Sequence, residues 1–295
     1  MSDLQSSGSG RVVSYLRALL ILGRVSNLPT VWSNCLAGWW LGGAGTWGSL
    51  LVLSVGASFV YIGGMFLNDA FDAQHDRLHR SARPIPSGAI LESHVWKWGW
   101  SWLLIGSIML VPRGGHALWI TLVLLACVLL YDWLHKLISL SPFIMAACRF
   151  WLILLAAAFG QLGINGLAIW TGLVLACYVV GLSYLARKEA HSQAVPWWPV
   201  IPLAAPMVLG WIVNQGEFRE GGLLASLLLL LWIIKCIVPL WTFSPPNIGR
   251  AVSGLLAGIC LVDFLAATDA PRSLSMAFVG CFALSILLQR KIPAT

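Results

Sequence analysis

The sequence has few charged residues. Lys, Arg, Asp and Glu together make up 10% of its 295 residues, whereas about 25% is usual in a soluble domain. So few charges cannot cover the surface of a water-soluble globular protein of this size, which excludes that class. Hydrophobic residues make up 59% of the chain. This excludes an intrinsically disordered protein, because disordered chains contain few hydrophobic residues.

Several other signatures are missing. The seven cysteines all fall in apolar runs and form no Cys-x-x-Cys pair, so we predict no disulfide framework. Segments of about ten residues with alternating polarity, which are typical of outer-membrane barrels, are absent. The net charge is +7, but the basic residues are scattered at the ends of apolar runs. Because they form no basic stripe, we exclude nucleic acid as a partner.

Apolar runs of roughly 18–22 residues recur along the chain, and each is long enough to cross a hydrocarbon layer of about 30 Å as one helix. We predict an all-α, polytopic transmembrane helical bundle, with a flexible N-terminal tail at 1–10 and a single membrane-embedded domain at 11–295. Arg11–Arg24 is predicted to lie in the membrane interface. The seventh run is short and rich in proline, which leaves open nine spans plus a re-entrant segment. The ten predicted spans are Leu28–Gly43, Ser49–Phe71, Val95–Val111, Ala117–Leu134, Pro142–Gly160, Gly166–Ala186, Trp198–Val213, Leu223–Phe243, Ile248–Ala267 and Leu274–Leu288.

The positions of the basic residues predict the orientation of the bundle. With the N-terminus in the cytoplasm, thirteen of the 18 basic residues fall in cytoplasmic segments, as the positive-inside rule requires. Three fall on the opposite side, namely Arg113, Arg219 and Arg272. The predicted location is therefore a multi-pass integral membrane protein of a bacterial inner membrane or an organelle membrane, with its main polar loops in the cytoplasm.

The most informative string lies at the end of the second predicted span. Asn68, Asp69, Asp72 and Asp76 are spaced i, i+1, i+4, i+8, which places them within a sector of about 100° on a helix. Three such carboxylates repel each other unless a cation lies among them. Oxygen ligands favour a hard ion such as Mg²⁺, which bridges to substrate phosphates. We therefore predict that these four residues bind Mg²⁺.

Arginines follow the acidic residues directly. A metal-binding acidic cluster beside arginines is suited to holding a diphosphate group, so Asn68, Arg77 and Arg83 are predicted diphosphate contacts. An alternative is an iron or zinc site built on His75 and His79, which are four residues apart. The remaining histidines are dispersed, which favours the first interpretation.

The string from Asn68 to Asp76, followed by Arg-Pro-Ile-Pro-Ser-Gly from Arg83, resembles the first aspartate motif of the UbiA superfamily of membrane prenyltransferases. The segment Tyr131–Lys136 resembles the family's Tyr-x-x-x-Lys segment, and Arg24–Pro29 resembles its N-terminal motif. The resemblance extends from Arg24 to Ala267. It implies nine helices around a lipid-facing cavity, two aspartate motifs that hold Mg²⁺ and an isoprenyl diphosphate, and a prenyl acceptor of unknown identity. Asn27 and Lys136 would then contact the diphosphate, and Asp69, Asp72 and Asp76 would take part in catalysis.

The second aspartate motif of the family is altered in this chain. Tyr184 matches the family's tyrosine, but Lys188 stands where the first carboxylate of the loop is expected, and Glu189 is the only acidic residue nearby. In one interpretation, Arg187 and Lys188 contact the diphosphate. Tyr184 and Lys188 are then catalytic residues, and Glu189 is a residual metal ligand. The other is that the site only binds a polar lipid. A second motif altered in this way resembles the EboC-like subgroup.

The sequence thus favours a membrane enzyme that uses Mg²⁺ and an isoprenyl diphosphate to prenylate an unknown acceptor, among membrane lipids. Two alternatives stay open. One is a terpene cyclase of the same fold, in which a double bond of the substrate captures the cation. The other is a non-catalytic carrier of a prenylated or polar lipid.

Overall fold

The computed structural model describes residues 15–187, 196–214, 216–243 and 246–294. Over these residues the regular secondary structure is helical, without a strand. The predicted tail at 1–10 lies outside the described residues, as does the first part of the predicted interfacial segment. Residues 15–22 of that segment are helical.

From residue 28 onward the described residues form nine long α-helices and three short ones. They are α1 (Leu28–Leu41), α2 (Trp47–Phe71), α3 (Ala73–His79), α4 (Glu92–Leu110), α5 (Gly115–Leu134), α6 (Ser141–Ala158), α7 (Gly166–Arg187), α8 (Val200–Leu203), α9 (Arg219–Ile237), α10 (Pro239–Thr242), α11 (Ile248–Ala266) and α12 (Arg272–Gln289).

Seven helical segments within the described residues are long and apolar enough to cross a membrane. They comprise α2, α5, α6, α7, α11 and α12, together with the segment Gly216–Thr242 that contains α9. The chain is therefore a multi-pass integral membrane protein. Of the seven, α11 is the most enclosed by the rest of the bundle and α12 the least.

The predicted seventh span, Trp198–Val213, is not one continuous helix. It consists of the four-residue α8, a turn, and a stretch ending in a π-helix at Leu209–Val213. Pro206 stands in that turn and prevents the helix from continuing, because proline donates no backbone hydrogen bond and its ring crowds the preceding turn. The segment ends at Asn214, whose Nδ2 donates to the carbonyl oxygen of Leu265 at 3.1 Å.

A glycine lets the backbones of α1 and α6 pack closely against each other. A Cβ atom added to Gly38 would lie 2.5 Å from the carbonyl oxygen of Ile153 and 2.6 Å from the Cβ of Ala156. Real side chains do not tolerate such distances, so glycine is required where the two backbones meet. This contact brings Arg149 of α6 next to the first two turns of α1.

A polar network lies inside the bundle. The Arg149 guanidinium donates to Asn34 Oδ1 at 2.6 Å and to Thr30 Oγ1 at 3.0 Å. Asn34 Nδ2 in turn donates to Asp263 Oδ2 at 2.7 Å, and the Ser33 hydroxyl also donates to that oxygen. The Asn34 side chain thus links a buried cation to a buried carboxylate, which lowers the cost of holding either in the membrane interior.

A second apolar cluster fixes the loop between α3 and α4. Leu22, Phe66, Ala70, Ile85 and Val95 belong to it and are buried together. This packing holds the helical residues 15–22 and the loop that carries Arg80 and Arg83 over the end of α2. The acidic residues of α2 therefore lie beneath a basic loop.

Candidate active site

The four residues of the predicted acidic motif lie around the junction of α2 and α3. The amide of Asp72 donates to the carbonyl oxygen of Asn68 at 3.0 Å, and that of Asp76 to Asp72 at 2.9 Å. The backbone thus stays close to helical across the junction, so the four side chains share one side. All of them are buried, Asp76 most deeply at 2% exposure.

Asp69 and Asp76 converge on a single cationic atom. Arg83 Nη1 lies 3.1 Å from Asp69 Oδ1 and 2.9 Å from Asp76 Oδ2. Arg24 Nη2 adds weaker contacts of 3.4 Å to Asp69 Oδ1 and to Asn68 Oδ1. Two arginines from distant parts of the chain therefore neutralise Asp69 and Asp76.

Asp72 belongs to a separate pair of contacts. Lys136 Nζ lies 2.7 Å from Asp72 Oδ1, and His135 Nε2 lies 3.2 Å from the same oxygen. Burial by itself raises the pKa of the Asp72 carboxyl, but the hydrogen bonds and positive charges of His135 and Lys136 outweigh it and lower this pKa below its usual value. Asp72 is thus held as a carboxylate beside the α5–α6 loop.

These contacts reduce the number of predicted residues that can hold a metal ion at one position. Among the described residues, no group of three or more His, Cys, Asp or Glu side chains lies close enough to hold a metal ion. Asp69 and Asp76 nevertheless meet at one point, where two carboxylate oxygens face a single positive charge. That donor set fits a hard divalent cation supplemented by water and phosphate oxygens. Asn68 and Asp72 contact other cations instead.

His75 and His79, the alternative metal ligands, stack on each other with ring centroids 4.3 Å apart on the exposed side of α3. Burial, slight at this exposed ring, and the nearby positive charge of Lys136 lower the pKa of His75. This pair points away from the buried acids.

An outer cavity of about 340 Å³ opens above Asp69. Four arginines and one carboxylate line it, together with apolar and small residues of the α3–α4 loop, the helical residues 15–22 and the C-terminal segment. The charged lining residues are Arg17, Arg24, Asp69, Arg80 and Arg83. Such an excess of guanidinium groups suits a polyanion, because each one offers several hydrogen bonds to phosphate oxygens.

An inner cavity of about 80 Å³ lies deeper, between α2, α5 and α6. Its lining is mostly aliphatic, with Tyr61, Tyr131, Asp132 and Arg149 as polar members. Asn68 links the two cavities: its Oδ1 accepts from Arg24, and its Nδ2 donates to Asp132 Oδ1 at 3.2 Å. Asp132 Oδ2 is buried without a hydrogen-bond partner among the described residues.

Two predicted diphosphate contacts lie elsewhere. Arg77 forms an exposed ion pair with Glu92 at 2.7 Å. Asn27 is buried, and its Nδ2 donates to the carbonyl oxygen of Ala294 at 3.0 Å. Asn27 thus holds the C-terminal segment of the chain, and neither residue lines the outer cavity.

The region of the altered second motif supports the loop that carries Lys136. The Tyr184 hydroxyl donates to the carbonyl oxygen of Ser139 at 3.3 Å, and Arg187 Nη1 donates to the same oxygen at 2.7 Å. Lys188 and Glu189 lie outside the described residues. Among the described residues, the second motif therefore contacts the backbone of the α5–α6 loop, and Lys136 of that loop contacts Asp72.

Sequence reasoning did not include several of the site residues. Arg24 and His135 stand inside the two weaker motif resemblances, and Asp132 lies next to Tyr131, so those strings held a signal for them. Arg17 gave no such signal, because it stands in the segment assigned to the membrane interface. Its place in the outer cavity depends on how residues 15–22 pack over α2.

Comparisons with known proteins agree with this architecture. The family model described as "UbiA prenyltransferase family" matches residues 26–195. A solved apo structure of a UbiA homolog from Aeropyrum pernix K1 superposes with a TM-score of 0.65 at 16% identity, covering 84% of this chain and 98% of that one. A structure titled for digeranylgeranylglyceryl phosphate synthase gives 0.54 at 17% identity, with 93% and 99% coverage. No curated protein matches the sequence. The resemblance to the EboC-like subgroup stays a prediction.

Proposed function

This chain belongs to the UbiA prenyltransferase family, and we propose that it transfers a prenyl group from an isoprenyl diphosphate to an acceptor within the membrane. The observation that supports this most is the convergence of Asp69 and Asp76 on one cationic position beside a cavity with four arginines. A diphosphate joined to a hydrocarbon tail needs that combination of charges at the edge of an apolar bundle.

The diphosphate group would lie in the outer cavity. Arg24 and Arg83 already face the acidic residues there, while Arg17 and Arg80 line the same cavity. Their positive charges would stabilise the pyrophosphate anion as it leaves, which is the main electrostatic contribution expected of such a site.

Family enzymes generally use a divalent metal, and we propose Mg²⁺ held by Asp69 and Asp76. When bound, Mg²⁺ supplies charge neutralisation of the leaving pyrophosphate. Asp72 and Lys136 would keep the α5–α6 loop closed against the site, and Tyr184 and Arg187 would support that loop from α7.

The inner cavity would take the reacting end of the prenyl chain. The allylic C–O bond breaks and its electron pair leaves with pyrophosphate, after which an electron pair of the acceptor forms the new bond to the prenyl carbon. Tyr61 and Tyr131 line this cavity, and their ring faces stabilise a developing carbocation. The aliphatic lining excludes water that would otherwise capture it.

A non-catalytic lipid carrier is the second candidate. The observation in its favour is that Asp69, Asp72 and Asp76 each contact a cationic side chain, while Arg187 of the altered motif bonds to the backbone of the α5–α6 loop. A site neutralised in this way could hold a polar lipid without ionising it. A terpene cyclase needs the same ionisation as the prenyltransferase and differs only in its acceptor.

Pyrophosphate release separates these functions. Purified protein with Mg²⁺ and isoprenyl diphosphates of five to twenty carbons, in lipid extract as the source of acceptors, should release pyrophosphate. Release without any added lipid extract would favour the cyclase. Retained binding of the diphosphates with no release at any chain length would favour the carrier.

Two variants complete that experiment. Asp76→Asn should reduce release by at least about a hundredfold, by analogy with the loss of one preorganised electrostatic group in other active sites. Asp269→Asn is the matched control, because Asp269 is exposed at the opposite end of the bundle, where it accepts a hydrogen bond from Trp40. Equal turnover of the two variants would contradict the role proposed for Asp76.

We further propose that residues 11–295 act as one membrane domain, with the site facing the cytoplasm of a bacterium or the equivalent side of an organelle membrane. Accessibility of a cysteine introduced at Arg80 to a membrane-impermeant reagent, in sealed vesicles of known orientation, tests that side.

A further inference from the structure

An arginine side chain lies at the metal position that Asp69 and Asp76 define. Arg83 Nη1 lies between the two carboxylates, 3.1 Å from one and 2.9 Å from the other. A Mg²⁺ ion binds oxygen at about 2.0–2.1 Å with near-octahedral geometry. It would therefore use the same carboxylate oxygens as the guanidinium, and two positive charges would face each other at close range.

Arg83 has space to move away from the carboxylates. Its side chain is 20% exposed and borders the outer cavity, so it can rotate toward that cavity without repacking the core. In the free protein the cavity offers it one carboxylate, Asp69, and three other arginines. A diphosphate in the cavity would offer several phosphate oxygens in bidentate geometry, which guanidinium groups prefer.

We propose that Arg83 occupies the metal position in the free protein and transfers to the diphosphate when that group binds, which opens the position between Asp69 and Asp76. The inference rests on the proposed function, since it concerns the same site. Its consequence is that metal and diphosphate bind cooperatively: each ligand favours the arrangement in which Arg83 has left the acids. By linkage, the coupling is equal in both directions.

Binding of Mn²⁺ alone tests this arrangement without any turnover. The free-ion signal in electron paramagnetic resonance, measured on the full chain in detergent, reports how much Mn²⁺ is bound. We expect the unmodified protein to bind Mn²⁺ only weakly, and Arg83→Gln to bind it at least about tenfold more tightly. Arg83→Ala provides a second variant in case the first does not fold, as judged by monodisperse gel filtration.

Two controls assign the effect to this position. Arg80→Gln removes a guanidinium from the same cavity, but Arg80 makes no ion pair within the described ranges, so its Mn²⁺ affinity should equal that of the unmodified protein. Adding Asp76→Asn to Arg83→Gln should abolish the gain, because it removes one of the two ligands. Tight Mn²⁺ binding by the unmodified protein, or a gain that survives Asp76→Asn, would overturn the proposal.

The same samples separate this inference from the proposed function. Binding of geranyl thiodiphosphate, which does not ionise readily, is measured by equilibrium dialysis with and without Mn²⁺. Failure of this analogue and of its five-, fifteen- and twenty-carbon counterparts to bind under either condition contradicts the proposed function, whatever the Mn²⁺ results. Binding that is equally tight with and without Mn²⁺ contradicts only the coupling through Arg83.

Discussion

Lys136 Nζ lies 2.7 Å from Asp72 Oδ1, and this contact joins the α5–α6 loop to the junction of α2 and α3. His135 contacts the same carboxylate from the neighbouring position at 3.2 Å. One carboxylate thus holds two basic side chains of a loop that α7 supports from the other side through Arg187. Contacts among three separate parts of the chain, the α2–α3 junction, the α5–α6 loop and the end of α7, therefore hold this side of the site together.

The lowered pKa of Asp72 predicts a specific dependence of stability on pH. A carboxyl whose folded-state pKa is below its unfolded value of about 3.9 stabilises the fold above that value, and loses the contribution as pH falls through the folded pKa. The unfolding temperature of the unmodified protein should exceed that of Asp72→Asn at pH 6, and the difference should shrink below about pH 4. Thermal unfolding of both proteins in detergent from pH 6 to pH 3 measures this difference in unfolding temperature. A difference that stays constant from pH 6 to pH 3 would contradict this assignment.

Asn34 is predicted to be essential for stability, although it takes no part in the chemistry. Asn34→Leu leaves Arg149 and Asp263 without the amide that links them, and breaking a buried charged network typically costs about 3 kcal/mol or more. Thermal unfolding in detergent should give a clearly lower unfolding temperature for Asn34→Leu than for the unmodified protein. Gln161→Leu is the control, since Gln161 is exposed beyond the end of α6. Similar unfolding temperatures for the two variants would mean that the network contributes little.

The contact between α1 and α6 gives a third prediction. Gly38→Ala places a Cβ against the backbone of Ile153, and overpacking of this kind costs about 1–3 kcal/mol. Gly280→Ala in α12 meets no atom within 4 Å and should be neutral or slightly stabilising, because alanine favours helix more than glycine does. Comparing the unfolding temperatures of the two variants tests whether glycine is needed at the crossing.

Asp132 is predicted to affect activity and stability in opposite directions. Its Oδ2 is buried without a partner among the described residues, which is unfavourable for the fold. Asp132→Asn replaces the carboxyl by an amide of the same shape and should leave the unfolding temperature unchanged or raise it, while pyrophosphate release falls by about tenfold or more, as at sites that trade stability for activity. Measuring the unfolding temperature and the pyrophosphate release of the same Asp132→Asn sample tests this prediction. A lower unfolding temperature with unchanged release would assign Asp132 a purely structural role.

Much of the helical architecture could be predicted from hydropathy. The predicted span Gly166–Ala186 corresponds to α7 at Gly166–Arg187, and Ala117–Leu134 corresponds to α5 at Gly115–Leu134. At Trp198–Val213 the sequence left a span and a re-entrant segment open, and the described residues there form no continuous helix, with Pro206 in the turn after α8. Hydropathy reports the apolar environment of a segment, whereas helix continuity depends on backbone hydrogen bonds that proline removes.

The sequence by itself determined a membrane-embedded helical bundle and located an acidic motif, because both depend on residues close together along the chain: apolar runs, and four polar residues within the nine positions 68–76. Only the tertiary structure decided which cation faces each acid. Arg24, Arg83 and Lys136 come from separate segments, and their pairing depends on how helices and loops pack against one another. Helical periodicity places side chains on a face of their own helix, but it carries no information about the charges that another helix brings opposite them.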